Sequence, residues 1–166
     1  MDALDITLLL LRGWAGVIMV AHGLNHLRSQ KGTTRWFEKI GFRFPRLNAR
    51  LSTYGELAIG VGLIAGLLTP AAAAGLGATM LIAFWAIHRH AGFFVFHRPD
   101  EGYEYVVTVA MIALALAVLG PGEVSVDEVL GLEWTGWAGA WIYLGGLGAG
   151  VAQLVVFYRR PESEVT

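Results

Sequence analysis

Arg12, His22, Glu56 and Glu104 lie in or at the edge of stretches that are otherwise almost wholly apolar. An ionisable group in lipid is costly to hold, so each is a candidate for function. His22 and His26 are one helical turn apart on a shared face, with Asn25 beside them. Glu56 lies near the start of the next apolar run, His88 and His90 end the one after, and Tyr103 and Glu104 open the fourth. If these runs are membrane helices, His22, Asn25, His26, Glu56, His88, His90, Tyr103 and Glu104 can meet in one layer near the same membrane face. Histidine beside carboxylate suits proton-coupled chemistry, because burial and pairing move their titration across neutral pH.

Two readings of that layer stand side by side. In one, the groups satisfy each other's hydrogen bonds and lock the bundle. In the other, they form a small polar pocket for a quinone head group, a small anion or a proton, with His22 and Glu56 as the candidate catalytic pair. A haem held by two histidines is weaker, since only His22 sits well inside a span. No metal site is expected, because His22 and His26 lack an HExxH context. Arg12 is far from this layer; a structural ion pair with Asp127 in an acidic loop is the expected arrangement.

The elements that must position these residues follow from hydropathy. Of 166 residues, 55% are hydrophobic and 15% charged, against roughly 25% charged in a soluble domain. A span needs roughly 20 apolar residues of helix, since backbone groups in lipid must be satisfied internally. Five runs qualify, at about 6–27, 51–68, 71–87, 103–119 and 136–158. The second is expected to stop at Thr69-Pro70 and the fourth at Gly120-Pro121-Gly122. The sequence thus predicts one all-α transmembrane domain over 1–166, with no room for a soluble domain. The first run, flanked by Asp2 and Asp5 and followed by no small-x-small site, is expected to stay in the mature protein.

Charge sets the expected orientation. Arg28, Lys31, Arg35, Lys39, Arg43, Arg46 and Arg50 fall between the first and second runs against Glu38 alone. Arg89 and Arg98 follow the third run, and Arg159 and Arg160 follow the fifth. The alternate loops hold no Lys or Arg, and one carries Glu123, Asp127, Glu128 and Glu133. The positive-inside rule places the basic loops in the cytoplasm, with the amino terminus outside and the carboxyl terminus inside a plasma membrane. Within the first basic loop, Trp36, Phe37, Ile40 and Phe44 share a helical face beside Arg35, Lys39 and Arg43. That pattern predicts an interfacial helix on anionic lipid, with docking of an acidic partner as the alternative.

Ala58, Gly62 and Gly66, and Gly146 and Gly150, recur at every fourth residue and predict close helix packing or oligomerisation. Gly60-Val-Gly62-Leu-Ile-Ala65 matches a loose dinucleotide fingerprint but follows no strand, so it carries no nucleotide signal. Nothing points to nucleic acid. The absence of cysteine excludes thiolate metal sites, iron–sulfur clusters and dithiol redox chemistry.

The run Leu11-Arg12 with His22-Gly23-Leu24-Asn25-His26 resembles the opening of DoxX-family membrane proteins. Gly55-Glu56-Leu57 running on to Gly66-Leu67-Leu68-Thr69-Pro70 continues the resemblance. So do Gly102-Tyr103-Glu104-Tyr105, Gly120-Pro121-Gly122 and Ser125-Val126-Asp127. The likeness covers about Arg12 to Asp127 and implies a four-helix DoxX-like core over about 6–127, to which the fifth span is an addition. The family usually has Lys where this chain has His26. Some members are membrane subunits linked to thiosulfate:quinone oxidoreduction or to an archaeal terminal oxidase. Others are associated with an actinobacterial oxidoreductase complex that includes superoxide dismutase and a sulfurtransferase. The resemblance therefore implies a membrane subunit of a quinone-linked oxidoreductase system, working with other subunits or as a homo-oligomer. A non-catalytic scaffold for a soluble redox enzyme and a small-molecule or ion transporter are the alternatives.

Overall fold

A computed structural model describes residues 1–96 and 101–160; Arg98 of the second basic loop lies outside them. The described chain is all helical, a membrane bundle of α1 (Ala3–Arg28), α2 (Gln30–Lys39), α3 (Pro45–Ala65), α4 (Thr69–Ala86), α5 (Glu104–Leu119), α6 (Val126–Leu130) and α7 (Trp137–Phe157). A single 3₁₀ turn, His88–His90, follows α4. By length and composition alone, α1, α4 and α7 can cross a membrane. At 16 residues, α5 is a shorter apolar helix. The 21 residues of α3 include Arg46, Arg50 and Glu56.

A helix covers each expected run, but both ends of the second differ from the expectation. Pro70 does not end α3; it opens α4, where a proline without an N–H is tolerated. The actual stop is Gly66, whose left-handed backbone (φ 65°) caps α3. At the other end α3 starts earlier than expected, on Pro45.

The loops sort to two ends. At one, Arg43 N donates to Phe157 O (2.7 Å) and Arg159 N to Gly41 O (2.8 Å), so the end of α7 is tied to the α2–α3 linker. At the other, Asp127 N donates to Gly66 O, and Glu123 N to Asp5 Oδ1 (3.0 Å), gathering the start of α1, the α3–α4 turn and the α5–α6 loop. The described basic loops thus share one end and the acidic loop lies at the other.

Small residues let the helices touch. A Cβ on Gly16 would stand 2.7 Å from Gly60 O, and one on Gly60 the same distance from Gly16 O, so α1 and α3 cross backbone to backbone. The expected stripe was out of register there, because Ala58 is exposed. Gly146 and Gly150 do pack as expected, against Ala74 and Ala78 of α4. Between these crossings Met19, Leu63, Leu76, Leu116 and Tyr143 fill the core.

α2 departs from the interfacial reading. The helix ends at Lys39, and Phe44 lies beyond it in a left-handed conformation (φ 51°). The expected four-residue apolar face is therefore broken. Phe37 turns into the protein, where it packs with Phe42, Ala49 and Leu154. α2 is a cap on the bundle, with its charged side facing out.

Candidate functional site

At the acidic end, Arg12 is 1% exposed yet makes no direct ion pair with Asp127. Its guanidinium instead donates to backbone carbonyls: Leu63 (3.0 Å) and Ile64 (2.7 Å) in the last turn of α3, Pro121 (3.0 Å), and Val124. Asp127 accepts from Leu68 N (2.6 Å) and Thr69 N (2.8 Å) at the start of α4. The expectation of a pair is corrected by helix-end electrostatics. Orphan carbonyls at a helix C-terminus draw a cation, and orphan amides at an N-terminus draw a carboxylate. Both charges are spent on holding the α3–α4 turn.

The basic end is different. Beneath α2 lies a cavity of about 360 Å³, walled mainly by apolar side chains. α1 contributes Met19, His22 and His26; α2 gives Trp36 and Phe37; α3 gives Ser52 and Glu56. The far wall comes from Met80 and Ala83 of α4, His88, Glu101, and Tyr105 and Val106 of α5. Glu56 is 5% exposed. Ser52 Oγ donates to its Oε1 at 2.5 Å, from the preceding turn of the same helix. Oε2 is buried without a hydrogen-bond partner. His26 Nε2 lies 3.6 Å from Oε2, beyond hydrogen-bond length.

Polar support surrounds this carboxyl. His26 Nδ1 lies 3.3 Å from Thr33 Oγ1, and the imidazole stacks on Trp36, so α2 orients the ring. Gln30 Nε2 donates to Thr53 Oγ1 at 2.6 Å, pinning α2 across α3. His88 Nδ1 lies 2.6 Å from Glu101 O, which fixes the ring over the rim.

Of the residues singled out by sequence, His22, His26, Glu56 and His88 line one cavity. The rest of the expected layer does not join them. Asn25 is exposed on another face of α1, and His90 points away. Tyr103 packs edge-on against Phe84 and Phe93, and Glu104 accepts from Val95 N (3.1 Å) to shape the loop before α5. Ser52, Trp36, Thr79 and Glu101 were missed. Only Ser52 carried a signal, the four-residue spacing that lets it reach Glu56.

A carboxyl oxygen aimed into an apolar cavity can accept from a hydroxyl or, when protonated, donate to a carbonyl. Both imidazoles can pass a proton on.

The DoxX family model matches residues 7–89, half of the chain. That stretch runs from α1 through the 3₁₀ turn and includes His22, His26, Ser52, Glu56 and His88, but none of α5, α6 or α7. An uncharacterized protein of Haemophilus influenzae is 28% identical over 133 residues, covering 75% of this chain and 83% of that protein. No solved structure matches the chain. The polar wall of the cavity thus lies wholly within the matched segment apart from Glu101 and Tyr105, and the chain belongs to the DoxX family of membrane proteins.

Proposed function

We propose that the protein is a membrane subunit of a quinone-linked oxidoreductase system and that the cavity beneath α2 receives the quinone head group. One observation carries the reading: Glu56 lines an apolar cavity, and its Oε2 is buried without a hydrogen-bond partner. A buried polar atom left unpaired costs roughly 1–3 kcal/mol, so a ligand that completes its bonding is the economical explanation. The cavity's size falls within the usual range for small-molecule sites, roughly 300–1,000 Å³.

A quinone supplies two carbonyl oxygens that take up protons with electrons and return them as hydroxyls. Protonated, Glu56 donates to such a carbonyl; as a carboxylate, it accepts from the corresponding hydroxyl. His26 stands behind it to exchange the proton, and His22 faces the same space. Trp36 and Phe37 offer aromatic faces to a flat ring and keep water out. Electrons come from a partner, because the chain has no cysteine to carry them.

The positive-inside rule puts this end in the cytoplasm, the carboxyl terminus with it and the amino terminus outside. A second reading has its own observation. Lys31, Arg35, Arg46 and Arg50 line an open groove between α2 and α3, and none makes a hydrogen bond or ion pair among the described residues. Such a surface fits a scaffold for an acidic soluble redox enzyme.

Purification in mild detergent from native membranes tests both. The first reading expects quinone in the organic extract of the pure protein and loss of quinone-dependent turnover in Glu56→Gln. The scaffold reading expects a partner that survives Glu56→Gln and is lost when Arg35, Arg46 and Arg50 are neutralised. A protein carrying no quinone whose partner's turnover is indifferent to Glu56→Gln would remove the first reading.

A further inference from the structure

A second hollow of about 370 Å³ lies between α4, α5 and α7. Its wall has one polar side-chain group, the Tyr143 hydroxyl, and that donates to Ala110 O at 2.8 Å. Nothing polar is left to greet a ligand, so the occupant is hydrocarbon. Met80 and Val106 line both this groove and the Glu56 cavity. The two spaces therefore share a partition made of one branched residue and one unbranched thioether, and Met readily reshapes itself around a neighbour. Further out, Met111 and Leu144 are 59% and 50% exposed, so the groove's far side faces the lipid.

We infer that this groove holds the first isoprenoid units of a quinone whose head group sits beside Glu56. The inference rests on the quinone reading above and adds the substrate class: a tailed, membrane-resident quinone rather than a small water-soluble one. It also assigns work to α7, which lies outside the family match. Tyr143 packs where Gly77 has no side chain, since a Cβ there would stand 2.5 Å from the ring. That contact closes one side of the groove, which Leu144 and Leu147 of the same helix also line. The chain's polar and apolar cavities are thus ordered like the ligand itself, head toward the basic end and tail toward the bilayer.

The test is a binding titration of the full-length protein in detergent with two quinones of the same ring, one tail-less and one bearing several isoprene units. Quenching of tryptophan fluorescence reports binding, with Trp36→Phe identifying the share from the cavity wall. Ala110→Phe and Leu147→Phe fill the groove from α5 and α7. Each is expected to weaken the tailed quinone by about tenfold, equivalent to ~1.4 kcal/mol, while changing the tail-less one by less than about twofold. A tailed quinone with a photoreactive group on its second isoprene unit covers the case in which a variant does not fold. It should cross-link wild-type peptides from α5 and α7.

If both quinones bind equally well and groove filling touches neither, the groove holds only bilayer acyl chains and the inference falls while the quinone reading stands. If both weaken together, the variants act through the shared partition and the tail assignment is again overturned. If wild-type protein binds neither quinone, the quinone reading itself fails and the tail assignment goes with it.

Discussion

Glu56 offers the clearest measurement, because its two roles have opposite signs. If it were a bolt in a self-satisfied network, removing its charge would loosen the bundle. If it is held for a ligand, the empty protein bears the strain and gains stability when the charge goes. Glu56 is 5% exposed, its Oε1 is served by Ser52 Oγ at 2.5 Å, and its Oε2 has no hydrogen-bond partner. Glu56→Gln keeps an oxygen for Ser52 but sets an amide where Oε2 stood, whereas Glu56→Leu removes the unpartnered atom altogether. Relief of one unsatisfied buried polar atom is worth about 1–3 kcal/mol. For a chain of this length each kcal/mol moves Tm by about 2–4 °C, so an increase of roughly 2–12 °C is expected for Glu56→Leu.

The assay is thermal unfolding of purified protein in detergent, with bound quinone removed, for wild type, Glu56→Gln and Glu56→Leu. Glu56→Leu should melt above both wild type and Glu56→Gln, and added quinone should raise Tm for wild type alone. The Leu variant also frees the Ser52 hydroxyl, which can turn back to the carbonyl one turn earlier, as helical serines do. A fall in Tm for Glu56→Leu comparable to the expected rise would refute the reasoning. The carboxyl would then be structural, and the cavity only an imperfection of packing.

Further measurements bear on other parts of the molecule. Arg12→Gln should cost about 3–5 kcal/mol, the scale for breaking a buried charge's interactions, whereas Asp127→Asn, which keeps one acceptor for the α4 amides, should cost about 1–2 kcal/mol, as for a lost cap. Equal losses in a melting series, with a large coupling in the double variant, would restore a direct pair. Gly60→Val would force its side chain into Gly16 O and Val20, and should lower stability by at least the 1–3 kcal/mol typical of overpacking; an unchanged Tm would contradict the backbone contact of α1 and α3. Because the chain has no cysteine, single Cys residues report sidedness cleanly. Val129→Cys, at a position 84% exposed, should react with an impermeant maleimide on intact cells, and Thr34→Cys only after lysis. The reverse pattern would invert the proposed orientation.

Which parts of this were visible in the sequence follows from the range of the forces involved. Helices and their end-for-end charge asymmetry were legible, because hydropathy and loop charge are local properties summed over many residues. The convergence of His22, His26, Glu56 and His88 was legible for the same reason: depth follows from position along a helix. Direction around the helix is what separated Asn25 from that set, and it depends on how α1 rotates at the Gly16–Gly60 crossing, while His90 lies in the 3₁₀ turn after α4. Pro70 was misread because Thr-Pro stops one helix or starts the next equally well. Asp127, nearly sixty residues away, decides the matter by holding the Leu68 and Thr69 amides. The inward turn of Phe37 was hidden likewise, since an amphipathic decamer looks the same whether its apolar side meets lipid or protein.

The two ends of the bundle treat buried charge in contrasting ways, and the contrast bears on where function lies. At the acidic end a guanidinium and a carboxylate are buried to 1% exposure each, and both are used up by backbone atoms at helix termini. The protein can therefore satisfy a buried charge fully when stability is the only demand. At the basic end it leaves a carboxyl oxygen without a hydrogen-bond partner beside open space, although Gln30, Thr33 and Thr53 nearby are all engaged with one another or with backbone. One of those donors turned toward Glu56 would have completed the network. Their commitment elsewhere, to clamping α2 as a cap, keeps the cavity walled and leaves Glu56 Oε2 without a hydrogen-bond partner. Natural proteins depart from full satisfaction chiefly at functional sites; among the described residues Glu56 Oε2, Thr69 Oγ1 and Arg89 Nε are buried without a partner, and of these three residues Glu56 alone lines the cavity.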